Sequence, residues 1–323
     1  RRGVVAVTVQ PAATAAPAIA AVSISVVICC YTTERRAGLA RAVDSVVAQL
    51  GAGDELIVVV DGNDALRHEL RTHLPSGVVV VANAASRGLS GARNTGLRTA
   101  SGDVVVFLDD DAVLHRAALA GVRAAYLDPG VVGIGGAVHP EWPRGTAPRW
   151  FPPEFGWVVG CDYRGLPADG ADIRNPIGAA MAVRRAELVG IGGFSDRLGR
   201  VGALPTGCEE TLMGIELVRY HPSAKIVRHA AFSVSHTVST DRATLSYFLR
   251  RCYHEGRSKA ILTRLCGQRS SLASERRYTT QTLPTGLWNA RRRPGRMLAL
   301  IAGLTTAAGG YLMGLIQTAS QGE

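Results

Sequence analysis

Four short runs of β-branched and aliphatic residues, at 25–30 (SVVICC), 55–60 (ELIVVV), 78–81 (VVVV) and 104–108 (VVVFL), limit what this chain can fold into more than any other feature. Each has the length of a strand and is apolar on both faces, the pattern of strands buried in a parallel sheet. Residues 39–50 and 89–100 between them carry apolar side chains at helical spacing. Strands alternating with helices predict an α/β fold on a doubly wound, mainly parallel sheet flanked by helices. The second run ends in Asp61-Gly62-Asn63-Asp64 and the fourth in Asp109-Asp110-Asp111. Ligands of such sheets sit beyond the carboxyl ends of the strands, so both acidic clusters fall where a site is expected.

The rest of the chain is less regular. Residues 133–176 are rich in Gly, Pro and Trp and read as loops over a site. Residues 175–185 (NPIGAAMAVRR) end in a strand, and 186–189 begin a short helix before Gly192-Gly193-Phe194. Residues 211–220 read as a helix after the acidic pair Glu209-Glu210, and 241–266 as a basic helix. Residues 3–22 are uncharged and follow two arginines, as in a signal peptide. Pro11 and Pro17 break that apolar run, which favours an extended arm.

Charge and cysteine content exclude some partners. The formal net charge is +10, and from Arg242 to Arg296 thirteen Lys or Arg face two acids. Such a block suits anionic lipid or an anionic substrate; without interleaved aromatics or a recognised motif it does not suit nucleic acid. The six cysteines form no C-x-x-C pair, so they read as reduced thiols of a cytoplasmic protein. Residues 297–316 are twenty uncharged positions, enough to cross a bilayer core, preceded by Arg291, Arg292, Arg293 and Arg296 as on a cytoplasmic flank. Gly310-x-x-x-Gly314 suits close helix packing. Membrane contact is the expectation, against a buried or amphipathic terminal helix.

Asp109 and Asp111, at i and i+2 on an extended backbone, face one side while Asp110 turns away. A divalent cation would relieve their repulsion, and Mg²⁺ or Mn²⁺ held by one or two carboxylates plus phosphate oxygens is the usual arrangement. The competing reading makes Asp111 the cap of a helix beginning at Ala112. Asp61 and Asp64 are placed to read a base or ribose, or else only to form an Asx turn. In 87–96 (RGLSGARNTG), Arg93 is placed to hold a phosphate or to pair with Asp109.

Taken in order, SVVICCYTTERR, DGND, RGLSGARNTGLRTASGD, VVVFLDDD, NPIGAAMAVRR, GGF and GCEET resemble family 2 glycosyltransferases of the GT-A fold over residues 23–240. PRWFPPEFGWVVG, GCEET and YFLRRCYHEGRSKA look like the branch that elongates lipid-linked glycans. The resemblance implies a GT-A domain (23–240), and the residues outside it read as an arm (1–22), a basic helical extension (241–296) and an apolar C-terminal helix (297–323). The resemblance also implies an inverting enzyme at the cytoplasmic face of a membrane. There a sugar would pass from a nucleotide diphosphate donor to a glycan or lipid-linked acceptor, with Mg²⁺ or Mn²⁺ as cofactor. Nucleotide-sugar contacts are implied for Cys30, Tyr31, Glu34, Asp61, Arg87, Arg93, Asp109, Asp110 and Arg251, with Arg250 beside the last. Asp109 and Asp111 form the family's D-x-D motif, Asp111 is the direct metal ligand, and His236 is a further metal or diphosphate ligand. Glu210 matches the general base, with Glu209 its neighbour.

A nucleotidyltransferase would need a Gly-rich basic loop after the first strand, where this chain has Cys-Cys-Tyr-Thr-Thr-Glu. A nicotinamide dehydrogenase would need G-x-G-x-x-G there. A non-catalytic scaffold would not need a full set of metal, base and nucleotide contacts.

Overall fold

Consecutive residues of the apolar runs point into two different cores, which is why the runs do not alternate with polar residues. In the computed structural model, which describes residues 22–199, 207–267 and 272–320, Val26, Ile28 and Cys30 face one cluster. Val27, Ile57, Val59, Val105 and Phe107 face the other. Each fully buried Val or Ile contributes about 1.5–3 kcal/mol, so both faces hold the sheet in place. The arm expected at 1–22 lies outside the described residues except for Val22.

The strands are β1 (Ile24–Cys30), β2 (Glu55–Val60), β3 (Val78–Ala82), β4 (Val104–Asp109), β5 (Ala112–Leu114), β6 (Val131–Glu141), β7 (Ala180–Arg184) and β8 (Lys225–Thr237). They form one sheet in the order β3-β2-β1-β4-β7-β6-β8-β5. β3, β2, β1 and β4 are parallel. β7 runs antiparallel to both β4 and β6, so the sheet is mixed while staying mainly parallel, as expected. Helices α1 (Arg36–Val47), α2 (Asp64–His73), α3 (Leu89–Thr99), α4 (Ala118–Ala125), α5 (Arg185–Gly190) and α6 (Glu209–Tyr220) flank it.

Two expectations change. Residues 133–141 are not loop but most of β6, an interior strand of the sheet. Its glycines serve close packing: a Cβ on Gly136 would come 2.3 Å from the Phe232 carbonyl oxygen, and one on Gly135 2.7 Å from Ile173. And Asp111 does not cap a helix at Ala112, because Ala112–Leu114 pairs with β8 and the next helix starts at Ala118.

The C-terminal part adds α7 (Leu245–Cys266), α8 (Ala273–Arg277), a π-helical turn at Tyr278–Thr282, α9 (Leu283–Ala290) and α10 (Pro294–Ser320). Pro284 lacks an N–H and crowds the carbonyl four residues back, which accounts for the widened turn before α9. α10 runs beside α7 in the same direction, with Gly303 against Phe248, Gly310 against the Tyr253 backbone and Gly314 against Arg257 and Ala260. The Gly310/Gly314 pair thus does pack a helix closely, and the partner is α7 of the same chain. Phe248, Leu283 and Leu300 join Phe151 and Phe155 in the core cluster of the sheet.

A charge network ties α8 to α7. Arg174 grips Glu275 with both terminal nitrogens, at 2.7 and 2.9 Å, and Lys259 Nζ lies 2.7 Å from the same carboxylate. Burial works against charge on Glu275, but Lys259 and Arg174 outweigh it and hold the carboxyl down at about 2.

Two outcomes follow. Gly256→Val places side-chain atoms where a Cβ alone would be 2.0 Å from the Ala307 carbonyl oxygen; it should cost about 1–3 kcal/mol, read as a lower Tm. Glu275 has its folded pKa below the unfolded value, so its stabilisation is complete above the ordinary carboxylate range and fades as pH falls toward 2. Glu275→Gln should therefore lower stability at pH 7 by on the order of 2 kcal/mol, allowing for partial exposure. It should also flatten the acid limb of a Tm-versus-pH curve, and an unchanged limb would refute the assignment.

Candidate active site

The site begins where β4 ends. Strand register brings the acids of β4 to the far end of the chain: Ala112 pairs with His236 across β5 and β8, and the Thr237 N–H donates to the Asp111 carbonyl at 2.9 Å. His236 is consequently 2% exposed and not a surface residue, with Nε2 3.0 Å from Asp111 Oδ1. Its Nδ1 is 3.5 Å from the Cys161 thiol. Asp109, Asp111 and His236 each offer a ligand atom, all within 4.8 Å of one another. Burial opposes charge on Asp111, yet His236, Arg242 and Arg35 hold its carboxyl below the usual carboxylate range. Burial likewise pulls His236 down, and Asp111 more than offsets this, lifting it to about 10. Asp110 turns the other way, into the interior. Arg35 Nη1 donates to its Oδ1 at 2.8 Å, and burial pushes the carboxyl up to about 6 despite that partner.

Arg93, on α3, is the hub of the second cluster. It is 2% exposed, and its guanidinium lies 3.6 Å from Asp109, 3.3 Å from Glu209 and 3.3 Å from Glu210. The face of the Phe194 ring lies 5.5 Å from its central carbon, so the Gly192-Gly193-Phe194 segment closes the hub. Gly178 of the NPIGAA segment leaves room for it: a Cβ there would be 2.2 Å from Glu210 Oε1 and 2.6 Å from Arg93 Nη2. Glu209 and Glu210 stand in the first turn of α6, where the helix N-terminus favours negative charge. The residue before them, Cys208, has a left-handed backbone (φ 76°), a local strain of the kind that functional sites hold. Glu209 is almost wholly buried, whereas the Glu210 side chain keeps 17% exposure.

Asp109, Arg93, Glu209, Glu210 and His236 line one cavity of about 590 Å³. Arg242, Arg251, Glu255 and Lys259 line it too, with Phe155, Trp157 and Tyr278 as an apolar wall. Arg251 is held by Glu255 at 2.8 Å and lies over Trp157. Arg250 is exposed beside Tyr247 and does not line the cavity.

The remaining nucleotide-side residues do not line this cavity either. Tyr31, Asp61 and Arg87 gather at the carboxyl ends of β1 and β2. Asp61 accepts from the Asn83 side chain (2.8 Å) and the Gly88 N–H (2.9 Å), Asn63 donates to the Tyr31 carbonyl, and Arg87 lies against Gly62. Glu34 is exposed in a short 3-10 turn. The Cys30 side chain is in the core, and its carbonyl accepts from Asp61 N–H at 2.8 Å. Asp109 pairs with Cys29 across β1 and β4, so it joins the two halves. The six cysteines are free, and burial pushes Cys29 and Cys252 up to about 12. Cys29 and Cys252 therefore remain protonated thiols at neutral pH and poor nucleophiles.

Sequence reasoning missed two residues. Arg35 and Arg242 reach Asp111 Oδ2 at 3.3 and 3.5 Å. Arg35 had a local signal, a cation in the loop after the first strand; Arg242 had none, because its partner is far away along the chain.

The model of the family described as "Glycosyl transferase family 2" matches residues 25–188. A glucosyl-dolichyl phosphate glucuronosyltransferase of Haloferax volcanii is 30% identical over 250 residues, covering 76% of this chain and 79% of that protein. An uncharacterised glycosyltransferase of Nostoc sp. is 34% identical over 115 residues, 34% of this chain and 35% of that one. Among solved structures, a mannosyltransferase from Pyrobaculum calidifontis in complex with GDP-Man and Mn²⁺ superposes with a TM-score of 0.58 at 18% identity, covering 89% and 86% of the two chains. GalNAc-T7 with UDP, GalNAc and Mn²⁺ gives 0.52 at 16% identity, over 73% and 48%. Fold, family match and relatives agree, and the chain belongs to glycosyl transferase family 2, as a glycosyltransferase of the GT-A fold.

Proposed function

We propose that the enzyme transfers a sugar, with inversion, from a nucleotide diphosphate donor to a lipid-linked acceptor at the cytoplasmic face of a membrane. The observation that carries this reading is the single cavity onto which Asp109, His236, Arg93 and Glu210 all open. The three-donor cluster of two carboxylates and an imidazole fits a hard divalent cation such as Mn²⁺ or Mg²⁺. Asp109, Asp111 and His236 would hold it, and when bound it supplies positive charge opposite a departing diphosphate.

The chain's own residues do the rest. Glu210 accepts the proton of the attacking acceptor hydroxyl, being the acid of the pair that keeps exposure toward the cavity. Glu209, buried against the same guanidinium, is a positioning residue. Arg93 fixes Glu210 relative to Asp109, so base and diphosphate end are held through different nitrogens of one guanidinium. Arg242, Arg251 and Lys259 place cationic groups on the cavity wall, where they stabilise the charge that develops on the leaving group. One carboxylate base and one displacement invert the anomeric centre. Tyr31, Asp61 and Arg87 at the ends of β1 and β2 are assigned to the nucleoside. The Haloferax relative, named for a dolichyl phosphate-linked substrate, supports a lipid-linked acceptor. The Pyrobaculum neighbour, solved with GDP-Man and Mn²⁺, supports a nucleotide sugar donor and a metal.

A nucleotide-release assay over UDP, GDP and dTDP sugars identifies the donor. Asp111→Asn and Glu210→Gln should each lower transfer about 100-fold or more while circular dichroism stays unchanged. EDTA should abolish turnover and Mn²⁺ or Mg²⁺ restore it. Near-normal rates in both variants, or full activity in EDTA, would refute the roles assigned.

A further inference from the structure

A second hollow, of about 460 Å³, shares no lining residue with the catalytic cavity and is lined by Arg164, Arg291, Arg292, Arg293 and Arg296 with Asn289. Among the described residues one carboxylate answers these five cations, Glu154, 2.8 Å from Arg164. The buried Nε of Arg296 has no hydrogen-bond partner there. Burial, joined by Arg293 and Arg164, lowers the Arg296 pKa from its ordinary value. The hollow adjoins the first turn of α10, where the helix dipole favours an anion and disfavours cations. Five guanidiniums gathered at that place are held against their own repulsion, and a phosphate group would remove the cost with charge-assisted hydrogen bonds.

The helix that starts at the hollow has two faces. Ala299, Leu300, Gly303, Gly310 and Gly314 are buried. Leu298, Ile301, Leu304, Leu312, Leu315 and Ile316 are exposed at spacings of three and four, and no charge occurs from Met297 to Ile316. Trp288 is 67% exposed at the arginine end, with Arg291 4.6 Å over its ring, the pairing of aromatic and cation found at lipid headgroups. α10 is also long and apolar enough to cross a bilayer. Its inner face, however, is seated on α7, which carries Arg250, Arg257 and the charges of the cavity wall, and Arg257 reaches Gln317 at 2.7 Å. A helix packed against so polar a neighbour cannot be surrounded by acyl chains; it can lie in the surface of a bilayer.

We propose that this face is a monotopic docking surface for an anionic phospholipid bilayer. The arginine hollow takes a lipid phosphate, and the outer side of α10 rests among the upper acyl chains. This deepens the lipid-linked acceptor reading, because Leu304 and Ala307 of α10 also line the catalytic cavity. An acceptor's lipid arm would therefore reach the site along the docked face.

Vesicle co-sedimentation of the full chain, without donor or acceptor, tests docking separately from transfer. The chain should sediment with vesicles of equimolar phosphatidylcholine and phosphatidylglycerol and far less with phosphatidylcholine alone. Arg292→Gln with Arg293→Gln, both exposed, should weaken anionic-vesicle binding roughly tenfold or more, whereas Arg71→Gln with Arg116→Gln, an equal loss of charge elsewhere, should not. Leu312→Asp with Ile316→Asp should abolish binding. Equal binding to both vesicle types, equal losses in the two arginine pairs, or full binding by the aspartate variant would each overturn the proposal. Circular dichroism on every variant guards against unfolding.

Discussion

A single buried guanidinium holds the catalytic half of this enzyme together. Arg93 has almost no contact with water and meets three carboxylates, one from the end of β4 and two from the start of α6. An unpaired cation at that depth would cost several kcal/mol, and so would any of the acids stripped of it. The arrangement is therefore all or nothing. α3, β4, α6 and the Gly178 turn must come together for any of these charges to be tolerated. That mutual requirement fixes the spacing between the acidic tip of the sheet and the Glu209-Glu210 pair.

The second constraint is backbone pairing. Asp111 meets His236 because three residues of β5 pair with β8 in one register; a shift by one residue would turn His236 to the opposite face. The metal-type cluster is thus a by-product of sheet closure at the edge, not of local sequence. Arg35 and Arg242 reach the same carboxylate of that cluster and offset the charge of the adjacent aspartates.

Basic residues serve two separate purposes in the C-terminal third. Arg251 and Lys259 of α7 line the cavity and are braced by Glu255 and Glu275, making a rigid cavity wall. Those between α9 and α10 remain largely unanswered and border an apolar helix face. Linear charge counting lumps the two groups together, although one shapes a site and the other a surface.

Much was readable from the chain alone. The apolar runs determined β1 to β4, because strands buried on both faces need no polar alternation; β2 begins and ends at the residues the composition suggests. The acids after β4, the Glu209-Glu210 pair and the arginine of the ARNTGL segment also announced themselves, since charges at the ends of apolar elements demand partners. What the sequence did not determine is anything set by long-range approach. Strand β6 hides behind glycines that resemble loop residues and are there because Phe232 and Ile173 press against them. Which acid of the Glu209-Glu210 pair is the more buried, why Arg93 turns to carboxylates and not outward, and that the apolar tail packs on α7 were decided only by tertiary packing. Local propensity registers a residue's neighbours along the chain, whereas burial and pairing depend on neighbours brought from a hundred residues away.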